Sequence, residues 1–221
     1  MHSRIPFWAK RYLNETDLKN ITALITRVEQ KTQVELVPLV VRSSFDLRLY
    51  RGFLFALSLS IFLLIHNILS AIELWENHLI LNLIDLLFYL IVFSITIWGP
   101  SFSPFLRFFF GTSSLREKVF QRACYEFFDN QLQHTKSRTA VLFMYSVYER
   151  KAHILPDPSL SHFPQALWDS AMTRMITSAK GGHFYAGFAD AIEYVADELA
   201  KTLPPGDENR NEVPDHVIIK D

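Results

Sequence analysis

The stretch Thr139-Ala-Val-Leu-Phe-Met-Tyr-Ser146 is the most strand-like part of the chain, and it decides the fold class. Its apolar run does not alternate with polar residues, which indicates a strand covered on both faces. A turn at Tyr148-Glu-Arg150 follows, and Lys151-Ala-His-Ile-Leu155 is the expected antiparallel partner. The sequence therefore predicts a sheet-centred α/β domain with helices packed on the sheet.

Helical patterns surround this hairpin on both sides. Apolar residues at helical spacing predict helices over about residues 115–132, 162–179 and 183–203. Upstream, Thr16 is the expected N-cap of a helix, and the run from Val34 to Val41 is the expected first strand. Within that run, Pro38 lacks an amide hydrogen and favours an edge position or a bulge. The order helix, strand, helix, strand, strand, helix, helix fits one α/β domain whose two halves are separated in sequence.

The apolar middle of the chain predicts an inserted two-helix transmembrane hairpin. Gly52 to Ile72 contains no charged residue, and Leu79 to Trp98 contains only Asp85. Each run has the length of roughly 20 residues that a helix needs to cross a bilayer. Two buried helices of a soluble core are the alternative, but neither run carries the polar face expected of such a helix.

The charges on either side of the hairpin predict its orientation. The short linker between the two runs has two glutamates and no Lys or Arg, whereas basic residues lie on both outer flanks. These basic residues are Arg42, Arg48, Arg51, Arg107, Arg116 and Lys118. The positive-inside rule therefore places both flanks and both termini in the cytoplasm.

Two ionisable residues interrupt the apolar runs at matched depth. His66 and Asp85 each lie roughly 14 Å from the linker at about 1.5 Å per helical residue. Because a carboxylate exposed to lipid is costly, we expect the two side chains to face each other within the hairpin or across a dimer. The pair is either a polar clamp that fixes helix register or part of a proton or ion path. A path requires a homo-oligomer, since two helices enclose no channel.

Composition excludes several functional classes. The net charge of −1 lacks the basic surplus that neutralises phosphates, so no nucleic-acid partner is expected. A single cysteine, Cys124, permits no intramolecular disulfide and fits a reducing compartment. The histidines show no metal-ligand spacing, and no glycine-rich loop is present to cradle a phosphate.

Four pieces of the sequence, in order and spacing, resemble the TPM domain family, also called the TPM phosphatase family. They are ITALITRVEQKTQVELVPLVVRSS, VFQRACYEFFDNQLQHTKSRTAVLFMYSVYERKAHILPD, FPQALWDSAMTRMI and GFADAIEYVADELAKTLPP. The combination includes a Glu29-x-x-Thr32 helix end, a strand followed by Glu149-Arg150, and Asp157 after the next strand. The closing Asn211-Glu-Val-Pro-Asp215 is similar to the tail of a membrane-inserted bacterial branch.

The resemblance implies a fold and several candidate activities. It implies a Rossmann-like α/β/α sandwich, here interrupted by the hairpin. It also implies either an acid phosphatase activity, as attributed to plant thylakoid members, or an accessory role in membrane-protein complexes, and some members bind calcium. The expected domains are residues 1–50 and 113–204 for the two parts of the TPM-type domain, 51–100 for the hairpin, 101–112 for an interfacial segment and 205–221 for a polar tail.

Candidate site residues follow from the rule that ligands bind beyond the carboxyl ends of parallel strands. Asp46, Glu149 and Asp157 offer oxygen ligands for Ca²⁺ or Mg²⁺. A phosphate is expected to bind Arg42, Ser43 and Ser44. Each residue also has a structural alternative, because Asp46 could cap a helix, Asp157 could form a turn, and Glu149-Arg150 could be a paired turn. No catalytic residue is assigned.

The expected function is a binding or assembly module for a membrane-protein complex, anchored in the bacterial inner membrane by two spans. The alternative is a metal-assisted phosphatase acting on phosphomonoesters through Asp46, Asp157 and Arg42. The lipid bilayer, a membrane-protein partner and a second copy of the hairpin are the expected partners.

Overall fold

The protein has a mixed α/β fold, as the sequence predicts. The computed structural model describes residues 5–45, 47–71, 78–98, 111–135, 138–205, 213 and 215–221. Within these ranges it has four strands, β1 Leu36–Val41, β2 Val141–Ser146, β3 Lys151–Pro156 and β4 Ile218–Lys220. The same ranges contain six α-helices, α1 Glu15–Glu29, α2 Leu47–Ala71, α3 His78–Trp98, α4 Thr112–Asp129, α5 Gln165–Lys180 and α6 Phe184–Ala200.

The chain divides into two compact units. Unit 1 comprises Met1–Phe45 and Thr112–Asp221, and unit 2 comprises Asp46–Gly111. All four strands lie in unit 1, whereas α2 and α3 lie in unit 2. Unit 2 is therefore an insertion between the first strand of the sheet and the helix that precedes the second.

Unit 1 is built on a four-stranded sheet in the order β3-β2-β1-β4. β1 is parallel to β2 and to β4, and β2 is antiparallel to β3. The predicted hairpin of β2 and β3 is confirmed, with Val141 opposite Pro156 and Ser146 opposite Lys151. All six residues of β2 are buried, as expected for a strand covered on both faces.

Helices cover both faces of the sheet. One hydrophobic core packs α1, α5 and α6 against alternate strand residues such as Val40 and Phe143. The other core packs α4 against the opposite set, including Leu39 and Met144. Because successive strand residues point to opposite faces, the unbroken apolar runs of β1 and β2 supply both cores at once.

Helix α1 begins two residues earlier than predicted. Thr16 was the expected N-cap, but Asn14 caps the helix instead. The side chain of Asn14 accepts a hydrogen bond from the Asp17 amide at 2.7 Å, and the Asp17 side chain accepts one from the Asn14 amide at 3.1 Å. This reciprocal capping box satisfies two otherwise free donors, which a lone threonine cap would not do.

The position of Pro38 agrees with an edge location at that point of β1. The short β4 pairs only with Leu39, Val40 and Val41 of β1. In the described part of the chain, Pro38 therefore has a neighbouring strand on the β2 side alone. This arrangement tolerates a residue without an amide hydrogen.

The described residues of unit 2 contain two helices, α2 and α3, with aromatic contacts between them. The rings of Phe62 on α2 and Phe88 on α3 stack with centroids 4.5 Å apart. Among the residues whose structure is described, no helix is both long enough and apolar enough to cross a membrane.

Candidate functional site

The carboxyl ends of β1 and β2 meet at a buried polar cluster. Glu149 lies in the turn after β2 and is completely buried. Its Oε1 accepts hydrogen bonds from Ser43 Oγ and from the Ser44 amide, both at 3.0 Å. Its Oε2 accepts one from Ser146 Oγ. We call these four residues the Glu149 cluster.

Backbone pairing brings the Glu149 cluster together across the long insertion. The Val147 amide donates to the Val41 carbonyl, and the Tyr148 amide donates to the Arg42 carbonyl, both at 3.0 Å. These bonds continue the β1–β2 ladder beyond the last strand residues. They hold the turn against the segment that follows β1, so the carboxylate of Glu149 reaches its serine donors.

Arg42 lies at the same edge of the sheet, where it was predicted. Its Nε and Nη2 donate to the hydroxyl of Tyr148 at 3.1 and 2.9 Å. The predicted phosphate-binding group of Arg42, Ser43 and Ser44 is therefore assembled at one edge. However, the Ser43 hydroxyl is already used by Glu149.

The hydroxyl of Ser44 differs from that of its neighbour. Ser44 is buried, and its Oγ has no hydrogen-bond partner within the described part of the chain. Its backbone amide, by contrast, is one of the donors to Glu149. The Ser44 hydroxyl is thus the one side-chain polar atom of the Glu149 cluster that the described contacts leave unused.

Asp157 and Glu149 lie at opposite ends of the strands. It follows Pro156, which pairs with Val141 at the beginning of β2, and its amide donates to the Ala140 carbonyl at 2.8 Å. Six strand residues span roughly 17 Å at about 3.3 Å per residue. The Asp157 carboxylate instead accepts from the Ser159 amide at 3.0 Å and caps a short 3₁₀ turn.

The structure therefore does not assemble the predicted metal site. Glu149 and Asp157 cannot share one ion, because Ca²⁺ and Mg²⁺ ligands lie within about 2.0 to 2.6 Å of the metal. The third predicted ligand, Asp46, lies outside the described residues. Across the ranges that are described, no three Asp, Glu, His or Cys side chains are grouped so as to hold a metal ion. The hydrogen bonds of the Glu149 cluster connect the ends of β1 and β2, and we therefore describe the cluster as a latch between these strands.

A partly buried carboxyl group, that of Glu29, was not predicted as a site. Glu29, at the end of α1, accepts a hydrogen bond from the Leu36 amide at 2.8 Å. Burial raises the pKa of Glu29 to about 8; the bond from Leu36 opposes this shift, and the nearby Glu35 and Asp215 add to it. The sequence hint was the Glu29-x-x-Thr32 motif, in which Thr32 anchors the same loop by donating to the Leu203 carbonyl at 2.8 Å.

The end of the chain forms a charged network that the sequence did not reveal. Lys220 on β4 donates to Glu126 and Asp129 of α4, in both cases at 2.6 Å. Burial alone would lower the pKa of Lys220, but these bonds outweigh it and raise the pKa above its ordinary value. Glu126 is completely buried and also accepts from Arg122 at 2.9 Å. In the sequence, only the four-residue spacing of Arg122 and Glu126 on one helix pointed to this network.

In unit 2, the structure brings His66 and Asp85 together. The Nδ1 atom of His66 lies 3.4 Å from Oδ1 of Asp85. The ring of His66 also lies 5.7 Å from that of Phe62, measured between centroids. The pair therefore links α2 to α3, alongside the aromatic contact of Phe62 with Phe88.

The sheet order and the helices packed on the sheet define a mixed α/β domain. Residues 112–198 match the family model of the TPM domain. Three of the four pieces that suggested this family begin in that range, whereas the piece around α1 and β1 precedes it. The match does not show a membrane-inserted branch.

A solved structure shares the fold. It is the NMR structure of BA42 protein from the psychrophilic bacteria Bizionia argentinensis sp. nov.. The two chains superpose with a TM-score of 0.57 at 17% sequence identity, covering 99% of each. At this identity the likeness concerns the fold alone. No curated protein matches the sequence.

Proposed function

We propose that this protein is a membrane-anchored TPM-type module that binds and helps to assemble a membrane-protein complex. Unit 2 is the anchor, inserted in a bacterial inner membrane as a hairpin with both flanks in the cytoplasm. Unit 1 is the binding module. The observation that carries the proposal is the outer surface of α2 and α3.

That surface is made of large apolar side chains. Leu64 on α2 is 62% exposed, and Leu83 on α3 is 64% exposed. Many others on the two helices are also exposed, among them Phe53, Ile61, Leu63, Ile68, Leu86, Leu87, Leu90 and Phe93. Exposed apolar surface of this extent is rare in monomeric soluble proteins and indicates contact with lipid or protein.

The sequence adds that the two apolar runs of this surface carry few charges, since Gly52 to Ile72 has none and Leu79 to Trp98 has only Asp85. The described stretches do not by themselves reach a membrane span, so the proposal rests on the whole of residues 51–100 together with the exposed side chains. The His66–Asp85 contact supports it as well, because two polar groups inside a lipid-facing hairpin need each other. This geometry favours the clamp role for the pair.

The structure gives less support to the phosphatase alternative. Arg42 follows β1 at the carboxyl ends of the parallel strands, and Asp157 lies beyond the opposite ends, with a strand length of roughly 17 Å between them. The carboxylate of Glu149 already accepts three hydrogen bonds within the domain. A binding role does not require these side chains to converge on one reacting atom, whereas phosphoryl transfer does.

Membrane fractionation of the full chain tests the anchor. The protein is expected to remain in the membrane after alkaline carbonate treatment and to leave it with detergent. Leu64→Lys combined with Leu87→Lys should shift it to the soluble fraction, since each lysine in a span costs about 2.5–3.5 kcal/mol. Phe7→Lys, at a residue that is 92% exposed in unit 1, is the matched control and should change nothing. Release of the unaltered chain by carbonate would contradict the proposal.

Purification in mild detergent tests the assembly role. The full chain is expected to co-purify with one membrane protein in fixed stoichiometry, and Asp157→Ala should leave that complex intact. The same preparations are assayed with a generic phosphomonoester, with and without a chelator. Turnover that the chelator and Asp157→Ala both abolish would favour the phosphatase alternative instead.

A further inference from the structure

Helix α4 carries exposed aromatic side chains beside the face that it buries on the sheet. The buried face includes Val119, Ala123 and Phe127. Phe120, Tyr125 and Phe128, by contrast, are 40%, 61% and 62% exposed. Phe120, Cys124 and Phe128 recur every four residues, so they form a ridge along the helix. We call Phe120, Cys124, Tyr125 and Phe128 the α4 ridge.

Local contacts hold the α4 ridge in place without covering it. The ring of Phe120 meets His153 of β3 edge-on, with centroids 5.1 Å apart. On the other side, the guanidinium of Arg122 lies 5.9 Å from the centre of the Tyr125 ring. Phe128 packs edge-on against the buried Phe127, with centroids 6.2 Å apart. The aromatic rings are thus ordered by the domain while their outer surfaces are open.

Basic residues accompany the α4 ridge on the same helix. Arg116 and Lys118 are exposed in its first two turns, and Glu117 is the acidic residue beside them. Helices that lie on membranes combine exposed aromatic side chains with Lys or Arg that attract anionic lipid headgroups. A soluble domain with no such contact rarely keeps several exposed aromatic residues in one row.

The covalent connection of α4 to unit 2 indicates what the α4 ridge binds. α4 begins at Thr112, immediately after unit 2 ends at Gly111. If unit 2 is anchored in the bilayer, the beginning of α4 is tethered to the membrane surface, and the effective concentration of lipid at the α4 ridge is high. We infer that the α4 ridge docks on an anionic membrane surface, with its aromatic rings in the interfacial layer of the lipid. This inference rests on the proposed anchor and extends it to a second membrane contact, made by unit 1.

The only cysteine of the chain lies in the α4 ridge and provides a probe. Burial, followed by the charge of Glu117, raises the pKa of the Cys124 thiol, so a nitroxide label is attached at mildly alkaline pH. The full chain is reconstituted in vesicles of phosphatidylcholine and phosphatidylglycerol. Relaxation of the label by oxygen, which concentrates in lipid, is compared with relaxation by a water-soluble nickel chelate.

The oxygen-to-nickel ratio at Cys124 is expected to be several-fold higher than at a control position. The control is Lys19→Cys in a Cys124→Ser chain, because Lys19 is exposed on α1, which packs on the opposite face of the sheet. Tyr125→Ser combined with Phe128→Ser should lower the ratio at Cys124 toward the control. Both side chains are more exposed than buried, so the domain should still fold.

Two outcomes would overturn the inference while leaving the anchor intact. One is a label that the nickel chelate reaches freely although the protein resists carbonate extraction. The other is spin–spin broadening between labels without oxygen enrichment, which would assign the α4 ridge to a second copy of the chain. Release of the unaltered protein by carbonate would refute the anchor itself and remove the basis of the inference, so the two failures are distinguishable.

Discussion

The hydroxyl groups of Ser43 and Ser44 are neighbours in sequence with opposite roles in the structure. Ser43 Oγ donates to Glu149, whereas Ser44 contributes only its backbone amide. Ser43→Ala should lower the free energy of unfolding by about 1–3 kcal/mol, because a completely buried carboxylate loses a donor. Ser44→Ala should be neutral or stabilising, since it removes a buried hydroxyl without a partner in the described structure and keeps the amide.

Chemical denaturation of the detergent-solubilised chain, followed by near-ultraviolet circular dichroism, measures both variants. Ser170→Ala, at an exposed position on α5, serves as the control for the substitution itself. Equal losses for Ser43→Ala and Ser44→Ala would show that the Glu149 cluster does not act as a latch of the kind described.

Glu29 gives unit 1 a pH dependence of stability. Its pKa is about 8 in the folded protein against 4.5 for an ordinary glutamate, so between these values the folded state keeps a proton that the unfolded state loses. The free energy of unfolding should therefore fall as the pH rises from about 4.5 to about 8 and level off above that range. Glu29→Gln should flatten this slope, because the amide oxygen can still accept from Leu36.

The measurement is a series of denaturation curves across this pH range. Glu15→Gln, an exposed change on the same helix, is the matched control and should keep the slope. An unchanged slope in Glu29→Gln would mean that other groups cause the pH dependence.

Several of these residues could be placed from the sequence only in part. Arg42, Ser43 and Ser44 were expected at the carboxyl edge because they follow an apolar strand, and they lie there. The role of Glu149 as the acceptor for two of them depends on a turn that pairs with β1 across the whole insertion. No local pattern encodes that contact. In the same way, the partner of Glu126, Lys220, lies 94 residues away in sequence.

At the scale of the strands, the error over Asp157 has a simple cause. The sequence predicted both the β2–β3 hairpin and a site at the carboxyl edge of β2, and the two predictions conflict. An antiparallel partner runs back toward the start of β2, so the residue after β3 must lie at the amino edge. The direction of β3 was therefore sufficient to exclude Asp157 from a site containing Glu149.

The helix pair of unit 2 yields a prediction of its own. Asp85→Asn removes the charge that pairs with His66, and it should weaken the association of α2 with α3 by about 0.6–1.7 kcal/mol. Energy transfer between dyes on the two helices, in a Cys124→Ser chain titrated with sodium dodecyl sulfate, reports their separation. Ser60→Ala is the control, because the Ser60 hydroxyl bonds to the Ala56 carbonyl within its own helix. A midpoint that Asp85→Asn leaves unchanged would count against the clamp.

At the scale of the whole molecule, unit 1 should fold without unit 2. Its two hydrophobic cores consist entirely of residues from unit 1. A chain in which residues 46–111 are replaced by a flexible Gly-Ser linker is expected to be soluble and to unfold in a single cooperative transition. Dispersed amide resonances would verify this. A soluble but unstructured product would mean that the hairpin is required to close the sheet.

The sequence allows β1 and β2 to be predicted more readily than β4. The apolar runs of β1 and β2 are recognisable because both faces of each strand are buried. β4 has only three residues, all of them half-buried, and it follows a polar stretch of the tail. Its pairing with β1 is a long-range contact, stabilised by Lys220 and by a bond from the Trp8 indole to the Asp221 side chain at 2.7 Å. A short strand of this kind has no periodicity to detect.

The insertion between β1 and β2 sets an order of events during synthesis on the ribosome. β1 leaves the ribosome long before β2, and at about 5–20 residues per second roughly 5 to 20 s separate the two. The apolar hairpin emerges within that interval, while β1 still has no partner strand. If unit 2 is the proposed membrane anchor, its delivery to the translocation machinery precedes closure of the sheet, and β4, which follows β2 and β3 in the chain, pairs with β1 last.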